Sequence, residues 1–338
     1  MPFSAIVGHE HQLRSLRKSL ECDRLHHAYL FVGPEGVGKK TVALALAKAL
    51  HCRELRLDFC DHCPSCLSIR DGNCPDVHTV EPQPGKKDIS IGQIRELIAR
   101  LSLRSFSGKR KVALVDPADL MNYHAQNALL KTLEEPPENS LLILVAQNSG
   151  ALLPTVLSRC VRVSFGFLPI ADAASLIARA TGLEPPESQL RAALALGSVG
   201  QALAWTNEDI HDERKKWIER YAGLRAADCR AALGLAEELA ADKERCAKVL
   251  RWLEGWSRDL LAFRVTARPD MIRNVDLLDM LQRQAASASA EQLLEMLAEL
   301  AFVREALKKT YNRRMILENF FVKLIGEPQA LGPRSSHG

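Results

Sequence analysis

The chain has 338 residues, enough for two or three compact domains rather than one. Hydrophobic residues make up 47% and charged residues 25%, an ordinary globular balance, and a net charge of +4 does not by itself argue for a nucleic-acid binder. No apolar run approaches the roughly 20 residues of a membrane helix. The opening segment, Met1 to Ala5 leading into polar Gly8-His9-Glu10-His11, lacks the apolar stretch of a secretory signal, so the expected location is the cytoplasm.

In chain order, the first predicted strand is Tyr29–Val32. It runs into Gly33-Pro34-Glu35-Gly36-Val37-Gly38-Lys39, and a helix is predicted over Thr41–His51. Strand, glycine-rich turn and helix is the context of a phosphate-binding loop, in which Gly33, Gly36 and Gly38 let backbone N–H groups wrap a phosphate and Lys39 reaches the β and γ phosphates. One position departs from the pattern. The residue after the lysine, normally a Ser or Thr that coordinates Mg²⁺, is Lys40, and Thr41 comes one place late. A one-residue shift turns a helical side chain by about 100°. ATP or ADP binding is therefore retained as an expectation, whereas metal-assisted hydrolysis is not.

Four of the nine cysteines, Cys52, Cys60, Cys63 and Cys66, crowd into the next segment. In a cytoplasmic chain that crowding points to a metal before disulfides, and four soft thiolates suit tetrahedral, structural Zn²⁺. His62 and Cys74 are candidate substitute ligands, and free thiols or a redox pair are the rival. A strand over Val77–Val80, a helix over Ile91–Leu103 and a strand over Val112–Val115 follow. The last ends in Asp116, which looks like the carboxylate that holds Mg²⁺ in a nucleotide site, with Pro117 standing where a catalytic Glu would polarise water. Further along come a helix over Ala125–Glu135, a strand over Leu141–Ala146 and a strand over Val161–Phe165. Short apolar strands alternating with helices imply an α/β domain with a parallel sheet covered on both faces.

Beyond about residue 166 the strand signals stop and helical spacing takes over, with breaks near Pro185-Pro186 and Gly197. Leu250, Leu253, Trp256 and Leu260 share one helix face, as do Leu293, Leu297 and Leu300. Trp205, Trp217, Trp252 and Trp256 are assigned to the core, and Cys22, Cys160, Cys229 and Cys246 are read as small buried hydrophobes. The clusters Arg214-Lys215-Lys216 and Lys308, Lys309, Arg313, Arg314 are read as solvated helix faces.

The run Ala125-Gln126-Asn127-Ala128-Leu129-Leu130-Lys131-Thr132-Leu133-Glu134-Glu135-Pro136-Pro137 resembles the signature helix of bacterial clamp-loader subunits, a branch of the AAA+ family. Ser158-Arg159-Cys160 is similar to another of their motifs, and Ile6-Val7-Gly8, the glycine loop and the four cysteines extend the resemblance over about the first 200 residues. Asn312 to Asn319 fits the family's helical collar less specifically. The resemblance implies a RecA-like AAA+ domain at about 1–166 with a zinc-binding insertion at about 52–75, a helical lid at about 167–207, and an all-α collar at about 208–326, before a disordered tail at 327–338. Two defects, Lys40 and Pro117, point to the non-hydrolysing delta-prime type rather than the ATP-hydrolysing gamma/tau-like motor type, which stays the alternative. Gly197-Ser198-Val199-Gly200-Gln201-Ala202 agrees, because motor subunits usually carry there an arginine that touches the γ-phosphate. Arg159 has two readings: a surface arginine pairing with a nearby acid, or, as the family resemblance implies, an arginine finger acting in trans on a neighbouring subunit. The implied partners are the gamma/tau motor subunits and a delta subunit in a heteropentamer, the sliding clamp and primed DNA, and any polymerase activity would belong to the DNA polymerase III holoenzyme.

Overall fold

The computed structural model describes residues 3–206, 208–224, 229–308 and 312–326, so the predicted tail at 327–338 lies outside the described residues. The chain separates into two compact units, one of Met1–Gly182 with Leu196–Gln201, the other of Leu183–Ala195 with Ala202–Gly338.

The first unit carries five parallel strands, β1 (Ala28–Val32), β2 (Val77–Val80), β3 (Lys111–Val115), β4 (Ser140–Ala146) and β5 (Val161–Ser164), in the order β2-β3-β4-β1-β5. The central strands are continuous apolar runs because both faces are covered. Their side chains alternate between two cores. Tyr29, Phe31, Val112, Leu114, Leu141, Ile143 and Val145 pack with helices α1 (Glu10–Glu21), α2 (Lys39–His51) and α3 (Pro64–Arg70). Leu30, Val32, Ala113, Val115, Leu142 and Leu144 pack with α4 (Ile91–Ser102), α5 (Tyr123–Glu134) and α6 (Pro154–Leu157). Helix α7 (Ile170–Thr181) ends this stretch. Helix starts are set by local chemistry. Ser90 and Gln93 form a capping box on α4, and the Asn122 side chain accepts the Ala125 N–H on α5, two residues ahead of the predicted start. Gly38, at φ 102°, starts α2 at Lys39 rather than Thr41.

The second unit is helical. Helix α8 (Pro185–Leu194) begins at the proline pair, which occupies the first turn where a missing N–H does no harm. Helix α9 (Val199–Ala204) crosses the division between the units. Then come α10 (Arg214–Ala222), α11 (Cys229–Ala241), α12 (Lys243–Thr266), α13 (Leu278–Ser287), α14 (Ala290–Lys308) and α15 (Arg313–Gly326), with α11 against α15 and α12 against α14. Trp217, Trp256, Leu260, Leu281, Leu293, Leu300, Phe320 and Phe321 are core residues, and Trp205 and Trp252 are buried as expected. No described helix is long and apolar enough to cross a membrane.

Two surface expectations need correction. Arg214 is fully buried: its Nε donates to Ile210 O (2.9 Å), its Nη1 to Asn274 Oδ1 (2.6 Å), and it is ion-paired with Asp276. Three acceptors make that burial tolerable, whereas its neighbours Lys215 and Lys216 are exposed. Among the cysteines read as buried, Cys246 is buried and Cys160 half-buried, but Cys22 and Cys229 are exposed. Arg313 Nη1 donates to Ala240 O, and Arg314 pairs with Glu237 and Glu318; Lys309 and the Lys308 side chain lie outside the described residues.

Candidate functional site

The glycine loop follows β1 and Asp116 follows β3, with β4 between them, so both lie at the carboxyl ends of parallel strands, where open α/β sheets bind ligands. The sequence puts Lys39 at the first residue of α2, and the loop curls around it. Its Nζ donates to Gly33 O (2.7 Å) and Pro34 O (2.6 Å). Burial pulls its ammonium below the usual lysine range against the opposing attraction of Asp116, Asp119 and Glu35. Burial raises the Asp116 carboxyl, with the positive charges of Lys40 and Lys39 acting the other way. Pro117 offers no proton acceptor. Asp119 accepts from the Gln147 N–H at 3.2 Å.

Lys40 is ion-paired with Glu81 just past β2, so its extra charge is neutralised within the chain. Thr41 is exposed on α2. Sequence reading gave no hint of Glu81, which lies far along the chain. It also missed what meets the tip of the loop. Ser198 Oγ donates to Glu35 O (2.7 Å) and the Gly200 N–H donates to Gly36 O (2.9 Å). A Cβ on Gly36, whose φ is 74°, would sit 2.5 Å from Ser198 Oγ, and one on Gly200 would sit 2.7 Å from the Gly36 Cα. Gly36 in the glycine loop and Gly200 in the 197–202 segment were the available signal, because each permits the close approach of the other's backbone.

Arg159 sits just past α6. Its Nη1 donates to Thr155 O (2.8 Å) and Ser158 Oγ (3.3 Å), and its Nη2 pairs with Glu134 Oε1 at 2.7 Å. It does not join the glycine loop of its own chain in any of these contacts.

Cys52 at the end of α2, Cys60 and Cys63 in the following loop, and Cys66 on α3 place their sulfurs within 4.8 Å of one another. A tetrahedral site with metal–sulfur bonds of about 2.3 Å has sulfur edges of about 3.8 Å, and Cys52 Sγ and Cys60 Sγ stand 3.7 Å apart. The Leu55 N–H donates to Cys52 Sγ and the Cys63 N–H to Cys60 Sγ, as suits thiolate acceptors. Burial and then its thiol neighbours push Cys66 up to about 12, whereas backbone and thiol donors outweigh burial at Cys63 and hold it at about 6. The donor set fits a closed, structural metal site. His62 is drawn to Glu54 at 3.2 Å, and Glu54, Cys60 and His62 form a second grouping that shares Cys60 with the quartet, while Cys74 lies outside both.

This sheet order, with a glycine loop after β1 and a carboxylate after β3, defines a RecA-like P-loop module of the AAA+ class. Residues 8–168 match the family model described as DNA polymerase III, delta subunit, and residues 208–325 match its C-terminal counterpart. The DNA polymerase III subunit delta' of Pseudomonas aeruginosa is 31% identical over 307 residues, 89% of this chain and 92% of that one. The delta' subunit of Bacillus subtilis is 29% identical, over 92% of this chain and 94% of its own. The tau subunit of Escherichia coli is also similar, 34% identical over 62% of this chain and 33% of that longer one. The chain belongs to the DNA polymerase III delta-prime subunit family.

Proposed function

We propose that this chain is a non-hydrolysing subunit of a cytoplasmic bacterial clamp loader, assembled with gamma/tau motor subunits and a delta subunit, and helping to place the sliding clamp on primed DNA. In this reading residues 1–166 form the AAA+ domain, 167–207 a lid and 208–326 the collar that joins the ring. What supports the proposal is a division within one chain: Lys40 and Pro117 stand where hydrolysis needs a hydroxyl and a carboxylate, while the contacts of Arg159 are with Thr155, Ser158 and Glu134. Lys40 takes the metal-coordinating position and is neutralised by Glu81. Pro117 takes the position of the catalytic base. Nucleotide phosphates would be held by Gly33, Gly36, Gly38 and Lys39, without the hydroxyl and carboxylate that drive hydrolysis.

Arg159 would then act on a neighbour. A guanidinium placed against a transferring phosphoryl group neutralises charge developing there and is worth roughly 10³- to 10⁵-fold at a single site. Zn²⁺ in the Cys52-Cys60-Cys63-Cys66 site would pin the insertion and leave no open position for catalysis. The intact glycines and Lys39 favour a second reading, an ATP-hydrolysing motor subunit. Mixing the purified chain with gamma/tau and delta subunits, then following complex mass and ATP hydrolysis, separates the two. The proposal expects a stable heteromeric complex and no hydrolysis by the isolated chain. Failure to enter the complex, or ATP turnover by the chain alone, would sink it.

A further inference from the structure

Helix α5 holds α6 at both ends. Gln126, buried near its start, donates through Nε2 to Met121 O (3.0 Å) and Ala151 O (3.1 Å), while its Oε1 accepts the Leu153 N–H (2.7 Å). These bonds fix the turn Ser149–Ala151 and the entry to α6. Eight residues on, about 12 Å along the helix axis, Glu134 faces Arg159 at 2.7 Å. The helix thus spaces the two attachments, and Arg159 is tethered from two sides: by the Thr155 carbonyl of its own helix end and by a carboxylate of the helix beneath. Its side chain is still 33% exposed, and that of Glu134 52%.

We propose that Glu134 is the positioning residue for Arg159, holding the guanidinium in the orientation it needs to meet the neighbouring subunit's phosphate. This rests on the trans-acting reading of Arg159 above. An arginine has many rotamers, and a side chain already ordered loses less freedom when it reaches its target. Glu134 also offsets some of the positive charge, but in a half-exposed pair water screens that attraction to a small effect. Orientation therefore outweighs neutralisation, and removing the carboxylate slows the neighbour's chemistry.

The test is a double-mutant cycle in the complete reconstituted loader, read by single-turnover ATP hydrolysis with clamp and primed DNA. Glu134→Gln, Arg159→Ala and the pair are compared after equal assembly and equal thermal stability are verified. Glu134→Gln is expected to slow the affected phase about two- to fivefold, the range of an exposed ion pair, with the ATP dependence unchanged, and to have no effect once Arg159 is alanine. Equal slowing with and without Arg159 would make Glu134 a general structural residue and overturn the proposal. No slowing beside a working Arg159 would overturn it too. If Arg159→Ala alone changes no phase, the finger reading itself fails, and that result is distinct from an inert Glu134.

Discussion

Asp76→Asn is expected to destabilise the first unit and to remove part of its acid sensitivity. Asp76 is 1% exposed, and its carboxylate accepts from the Phe106 N–H (2.8 Å), the Ser107 N–H (2.8 Å), Ser107 Oγ (2.7 Å) and Ser105 Oγ (3.0 Å). Burial alone would raise its pKa, but these donors, led by the Ser107 hydroxyl, outweigh burial and hold it at about 2. An unfolded aspartate titrates near 3.9, so the folded value is depressed and the stabilisation is present above that pH. It amounts to roughly 2 to 3 kcal/mol at pH 7 and is lost as the pH falls towards 2, with about half remaining at pH 3. Asparagine would turn an N–H group towards these donors and forfeit a similar amount. Urea denaturation followed by far-UV circular dichroism at pH 7 and pH 3 measures it. All four tryptophans lie in the second unit, so their fluorescence supplies an internal control. The variant is expected to be less stable by roughly 2 to 3 kcal/mol at pH 7, with a smaller gap at pH 3 and an unmoved tryptophan transition. A difference below about 0.5 kcal/mol, or one independent of pH, would refute the reasoning.

Other expectations follow from the same contacts. Reduced, purified protein should contain one equivalent of zinc by elemental analysis, and Cys66→Ser should lose it; much less than one equivalent in the unsubstituted chain would rule the metal site out. Arg214→Ala should destabilise the second unit by about 3 to 5 kcal/mol, because Asp276 and Asn274 lose a fully desolvated partner. Here tryptophan fluorescence in urea is the readout, and a change below about 1 kcal/mol would mean the buried pair is dispensable.

The parallel sheet was legible because central strands buried on both faces read as unbroken apolar runs: Leu141–Ala146 needed no partner to be recognised. The edge strand Val161–Ser164 is mostly exposed, yet its β-branched residues still marked it. The glycine loop and the cysteine quartet were legible from spacing, since their chemistry is local. Contacts closed over long separations were not. Lys40 was legible as a departure from the phosphate-loop pattern, but its partner Glu81, 41 positions away, is brought to it by β2. Arg214 looked like one of three surface cations, and its partners Asn274 and Asp276 lie about 60 residues downstream in the chain. The contact of Ser198 and Gly200 with the loop tip joins residues more than 160 positions apart. Helix starts slipped where a cap set them: Asn122 for α5, and left-handed Gly38 for α2.

The central claim is that a chain without hydrolysis of its own completes a neighbour's site through Arg159. The most direct measurement is clamp- and primed-DNA-stimulated ATP hydrolysis by the reconstituted loader, with Arg159→Ala compared against the unsubstituted chain at equal assembly. The account predicts a large fall in rate for the substituted loader, with the isolated chain inactive in either form. An unchanged rate would contradict it and leave the chain a purely structural member of the ring.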